Sequence, residues 1–187
     1  KLMKYTKVSR SPIREAFRIL EGEGLIERIS QRGVFVKEIS LREIRETYSI
    51  LAVLEALAAE QAASRLSEND LSELSVLCDE MEKSAKLKDI KSWSVLNRKF
   101  HKIFIKAAEN RLLEKSLKNY QSKTTWFSSA GLHVEEAFEN SLQEHRGILE
   151  AFVKKDAVLA SETVRKHIRE AGIKTEQTFM AEKGVRE

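Results

Sequence analysis

The feature that most constrains this chain is how little interrupts its helices. Pro12 is the only proline in 187 residues, and Gly22, Gly24 and Gly33 put three of just seven glycines in the first forty. Proline and glycine cost a helix interior about 3 and about 1 kcal/mol relative to alanine, so the remainder is free to run as long helices. From Leu41 onward apolar residues return at the helical period, which predicts helices over 41–64, 68–87, 90–108, 111–129, 134–154 and 157–180. Ser67-Glu68-Asn69-Asp70 resembles a capping box, and Asp156 stands ready to cap the last helix. Six helices joined by short links imply an antiparallel bundle. The charged fraction of 33% exceeds the usual quarter and suits exposed amphipathic helices. No apolar run approaches the ~18 residues that span a bilayer, and no charged-then-apolar leader precedes a cleavage site, so neither a membrane span nor export is expected. Cys78 is the only cysteine, which excludes an intrachain disulfide and fits a reducing cytoplasm.

The first forty residues follow a different pattern. Leu25–Ile29 and Gly33–Lys37 alternate like strands, with Ser30-Gln31-Arg32 as a hairpin turn. Ahead of them a helix is expected to start with Ser11 as N-cap and Pro12 in the first position. Ile13, Ala16, Phe17 and Leu20 would form its packing stripe, leaving Arg10 and Arg14 outward. Nine Lys/Arg face five acids here, an excess equal to the net +4 of the whole chain. Free amides and hydroxyls at a helix start suit phosphates, and an arginine fork suits the guanine edge in a major groove. An ordinary solvated helix and hairpin would use similar residue types, so the order of the residues has to decide.

That order is Val8-Ser9-Arg10-Ser11-Pro12-Ile13-Arg14-Glu15-Ala16-Phe17-Arg18-Ile19-Leu20, then Glu23-Gly24-Leu25-Ile26 and Arg32-Gly33-Val34-Phe35-Val36. It resembles the GntR superfamily of bacterial regulators. The resemblance implies a winged helix-turn-helix over 1–38, with its reading helix in the major groove and the hairpin as wing. Ser9, Arg10, Ser11 and Arg14 would then contact phosphates and bases, and Arg32 and Gly33 the minor groove. The family's domain opens with a further helix, whereas this chain starts at Lys1 without an initiating methionine, so a truncated domain is expected.

In the region 39–187 three histidines interrupt apolar faces. His101 flanks the face of Trp93, Phe100, Phe104 and Ala107, within which Asn97 lies one turn earlier. His145 stands among Phe138, Leu142, Leu149 and Phe152, and His167 accompanies Ala160, Val164, Ile168 and Ala171. An unpartnered buried polar group costs roughly 1 to 3 kcal/mol, so three imidazoles aimed at one bundle centre need partners. Asn97, His101, His145 and His167 could form a facial N/O site for a divalent transition metal (zinc, nickel or manganese) whose open positions take a chelating ligand such as a carboxylate. His133, near Gly131 at a helix junction, is left out of this set.

Leu54-Glu55-Ala56-Leu57-Ala58-Ala59, Asn97-Arg98-Lys99-Phe100-His101 with Ala107-Ala108-Glu109-Asn110, Glu144-His145-Arg146-Gly147-Ile148-Leu149 and His167 occur in the order of the FCD ligand-sensing domain. The chain thus resembles the FadR-like branch of the GntR superfamily. In metal-binding members the Asn97 position is often aspartate, the Leu51 position often an arginine that approaches an effector carboxylate, and the Glu109 position commonly glycine.

The expected protein is mainly α, a winged helix-turn-helix joined to a bundle of about six helices. Its expected function is that of a cytoplasmic transcription regulator, a repressor, binding palindromic double-stranded operator DNA as a homodimer under control of a small carboxylate effector. Two alternatives share the same residues: a metalloenzyme using the Asn/His cluster as a Lewis acid, and a dimerisation module whose histidines are satisfied without metal. Catalysis is disfavoured because no obvious general base accompanies the cluster.

Overall fold

A computed structural model describes residues 8–129 and 138–184. Helix α1 (Arg10–Gly22) leads into an antiparallel hairpin of β1 (Ile26–Ile29) and β2 (Gly33–Val36), registered with Ile26 opposite Val36 and Ile29 opposite Gly33. Gly33 has φ +111°, a backbone region that side chains with a Cβ rarely adopt, which is why glycine closes this turn. Two expectations about α1 are corrected. Its N-cap is Ser9, whose side chain makes no capping hydrogen bond, so Ser11 and Pro12 lie inside the first turn. Proline is tolerated there because the first four amides have no helical acceptor in any case. Ala16 is exposed, and only Ile13, Phe17 and Leu20 of the proposed stripe are half-buried. Among the described residues the helix packs against β1.

Among the described residues six further helices follow: α2 (Leu41–Ala62), α3 (Glu68–Lys86), α4 (Ile90–Ala107), α5 (Arg111–Ser129), α6 (Phe138–Val153) and α7 (Ala157–Lys183). Their starts are capped as the residue types dictate. Ser40 Oγ accepts from the Glu43 amide, Ser67 and Asp70 form a complete capping box, and Asp89, Asn110 and Asp156 each accept an amide hydrogen bond three residues on. Predicted boundaries shift by up to three residues where they can be compared, within the usual fraying of helix ends. Glu109, in the expected glycine position, takes φ +53° at the end of α4, where a Cβ is strained.

The two longest helices, α2 and α7, run against each other. A Cβ added at Gly172 would meet the Tyr48 Cβ at 2.7 Å, so glycine permits their close approach and seats the Tyr48 ring there. The core is one apolar cluster drawn from α2 to α7, including Phe100, Phe104, Leu142, Ile148 and Phe152, with a small satellite of Ile44 and Phe127 near the start of α2. Cys78 is buried in the main cluster, and burial pushes its thiol up to about 11, as expected for a structural cysteine. Among the described residues no helix is long and apolar enough to cross a membrane.

Candidate functional site

His101 on α4, His145 on α6 and His167 on α7 converge inside the bundle. They are 5%, 0% and 4% exposed, and each offers one ring nitrogen such that the three atoms lie within 4.8 Å of one another. The ring centroids are 4.4 Å apart for His145 and His167 and 5.3 Å for His101 and His167. Phe100 meets the His145 ring edge-on at 4.8 Å, and Trp93 lies beyond it at 6.3 Å, so the cluster has an aromatic wall. These are the imidazoles singled out from helical phase. The structure brings all three together because their faces are the ones by which α4, α6 and α7 pack.

Each ring is held by its Nδ1. His101 Nδ1 lies 2.6 Å from Glu55 Oε2 on α2, His145 Nδ1 2.6 Å from the Ser141 carbonyl, and His167 Nδ1 2.7 Å from Glu144 Oε2. A carbonyl can only accept, so His145 must carry its proton on Nδ1, which leaves Nε2 as a bare lone pair in the neutral ring. Burial, followed by the proximity of His167 and His101, holds His145 well below its ordinary protonation range, and burial then His101 do the same to His167. Among the described residues, His101 Nε2 and His145 Nε2 are fully buried with no hydrogen-bond partner. Imidazoles oriented by carboxylate and carbonyl acceptors, two of them with unpartnered Nε2 atoms, and all three with a ring nitrogen within 4.8 Å of the others, are the donor set a borderline metal ion takes. The residues therefore fit a divalent transition metal.

A cavity of about 1040 Å³ opens beside the cluster, bounded by residues of α2, α4, α5, α6 and α7. His101 and His167 line it, while His145 sits behind them in the core. Asn97 also lines the cavity, half-buried, one helical turn from His101. Leu51, where an arginine would be common, is buried in the same wall. His133 lies outside the described residues.

Several site residues are not among those to which the sequence gives a role. Glu55 is 2% exposed, and besides His101 it accepts a longer contact from Gln121 Nε2 at 3.4 Å. Glu144 lies beside His145 in sequence yet serves His167, with Lys174 3.8 Å from its other oxygen. The Tyr48 and Thr175 hydroxyls meet at 3.0 Å in the same wall. For Glu55 and Glu144 the available signal is their place in the segments Leu54–Ala59 and Glu144–Leu149 that carry the FCD resemblance; for Lys174 there is none before the helices are packed.

At the other end of the chain, Ser9, Arg10, Ser11 and Arg14 are all exposed along the start of α1, and Arg32 and Gly33 are exposed at the hairpin turn. Arg18, by contrast, is paired with Glu15 through two hydrogen bonds, and Arg28 with Glu21. The bundle meets this part through Glu43, whose carboxylate takes Lys123 Nζ at 2.7 Å and Lys37 Nζ at 3.3 Å. Burial raises the Glu43 carboxyl, but the two ammonium groups outweigh it and hold the group below the usual carboxylate range.

Residues 1–36 match the family model for bacterial regulatory proteins of the gntR family, and residues 46–170 match that for the FCD domain. The HTH-type transcriptional regulator YdhC of Bacillus subtilis, described as uncharacterized, is 31% identical over 167 residues, covering 89% of this chain and 75% of its own. The gluconate operon transcriptional repressor of Bacillus subtilis is 26% identical over 180 residues, covering 94% and 74%. Among solved structures, E. coli McbR/YncC aligns with a TM-score of 0.83 at 18% identity over 95% of this chain and 85% of that one, a likeness of fold. With a gntR-type helix-turn-helix ahead of an FCD domain that encloses the histidine cluster, the chain belongs to the GntR family of bacterial DNA-binding transcription regulators.

Proposed function

We propose that this regulator is a repressor controlled by a small organic acid that binds on a metal ion inside the bundle. Residues 1–38 read the operator and residues 39–187 sense the effector. His101, His145 and His167, completed by Asn97, hold a divalent transition metal, with zinc, nickel and manganese as the ions that suit imidazole and amide donors. Asparagine brings a neutral carbonyl oxygen where relatives often carry aspartate, so the ion keeps more positive charge and relies more on an anionic ligand. The bound ion would supply a Lewis-acidic anchor for a carboxylate; the chain's own residues orient the imidazoles and shape the cavity. The reading rests above all on the two buried, unpartnered Nε2 atoms, because a protein that needed these histidines only for packing would satisfy both nitrogens. A repressor role is supported by the name of the gluconate operon relative.

On DNA, Ser9, Arg10, Ser11 and Arg14 contact phosphates and bases in the major groove and Arg32 with Gly33 follows the minor groove. A homodimer on a palindromic operator matches the symmetry of duplex sites. Native mass spectrometry of the purified protein tests the sensor half directly. One metal ion per chain that departs on chelation is the expected result, and gel shifts should change when an organic acid is added only to the metal-loaded form. Protein that takes up none of the three metals would refute the reading.

A further inference from the structure

Among the charged residues that line the cavity, Lys91, Arg98, Lys99 and Lys102 are exposed along α4, while Lys174 is the one cation drawn into the wall, its side chain 24% exposed. It stands on α7 two turns beyond His167 and one turn beyond Ala171, on the same cavity-lining face. Helical side chains lean toward the helix N-terminus, so the lysine stem points back toward the histidines and brings Nζ to 3.8 Å from Glu144 Oε1, whose other oxygen holds His167. That contact is too long for a hydrogen bond, and it leaves the ammonium protons available to a molecule in the cavity. On the facing α2, Leu51 contributes no charge.

We propose that Lys174 sets the charge class of the effector, making the cavity selective for a hydroxy acid with a single carboxylate over one with two. The inference rests on the proposed metal site. A divalent ion and Lys174 together bring three positive charges; Glu55 and Glu144, both held close to the cluster, bring two negative ones. The remaining charge of one is matched by one carboxylate, whereas a second carboxylate would find only Lys91, Arg98, Lys99 and Lys102, which stand in solvent where their attraction is screened. Thr124, Thr125 and the Tyr48–Thr175 hydroxyl pair in the same wall offer hydrogen bonds to ligand hydroxyls.

D-Gluconate and D-glucarate differ only in whether the far end is an alcohol or a second carboxylate, and D-glucitol carries none. Titration calorimetry of the metal-loaded full chain with all three is expected to show gluconate at least tenfold tighter than the other two. In Lys174→Met the gluconate affinity should fall at least tenfold and the advantage over glucitol should collapse, while Lys174→Arg restores most of both. Metal content by native mass spectrometry and the thermal melt, measured on each variant first, separate this outcome from a lost fold or a lost ion. A wild-type chain without metal overturns the proposed function itself. With metal bound, equal affinities for the two acids, a preference for glucarate, no binding of either, or unchanged discrimination in Lys174→Met would overturn the role of Lys174 alone.

Discussion

The two ends of this molecule handle polar residues in opposite ways. Between residues 8 and 38 no side chain is fully buried, and the groups assigned to DNA stand in solvent on α1 and the hairpin turn. Among the described residues the bundle instead buries nine polar or charged ones, including Glu55, His101, His145 and His167, where each needs a partner. An exposed basic residue costs little to keep and is free to meet a polyanion. A buried imidazole must be matched inside the fold, so its role depends on which helices face one another. Changes at the first end should therefore alter binding without altering stability, and changes at the second should alter both.

The largest effect is expected at the cluster. Replacing His145 with alanine should remove metal uptake and, with it, the stabilisation that a ligand specific for the folded state provides, about 4 kcal/mol at a thousandfold excess over Kd. Thermal melts with and without chelator measure this, and they should coincide in the variant. A metal-dependent melt surviving in His145→Ala would break the contrast between the two ends.

Arg14→Ala tests the other side. It should weaken operator binding by about 1 to 3 kcal/mol if the guanidinium reads a base, with no shift in the melt because Arg14 is exposed. Gel-shift titration beside a melting curve reports both, and native affinity in the variant would remove Arg14 from the interface.

The smallest effect belongs to the junction, where the two regimes meet. Glu43 is 8% exposed and binds Lys37 and Lys123 together, but the Lys37 side chain is 44% exposed, so the contact is worth about 1 kcal/mol or less. Its carboxyl is held below the usual range in the folded chain, so its contribution is complete above the ordinary carboxylate range and fades as pH falls through the lowered value. Melting followed from neutral to acid pH should thus show a loss that Glu43→Gln lacks. An identical acid profile in the variant would mean that the ammonium groups do not hold the carboxylate in solution.

Much of this was legible in the chain itself. One proline and few glycines leave the helices little to interrupt them, the capping residues Ser67 and Asp156 start two of them where their side chains can accept amides, and helical phase put three histidines on inward faces. The start of α1 was less legible. Proline fits anywhere in a first turn, so Pro12 could not distinguish Ser9 from Ser11 as the cap. Glu109 shows the same limit, since its left-handed backbone follows from where α4 stops and not from its own preference.

Periodicity specifies which side of a helix is apolar, because that depends on residues a few positions apart, and it specified here both a helical bundle and a set of imidazoles with nowhere wet to go. Which nitrogen of each ring is occupied depended on residues 46, 23 and 4 positions away, Glu55, Glu144 and Ser141. Only the packing of α2 and α6 against α4 and α7 could bring the two distant carboxylates into place. The same packing drew Lys174 into the cavity wall beside the uncharged Leu51, so the charge of that wall was decided by tertiary contacts between helices, where one-dimensional pattern carries no distance.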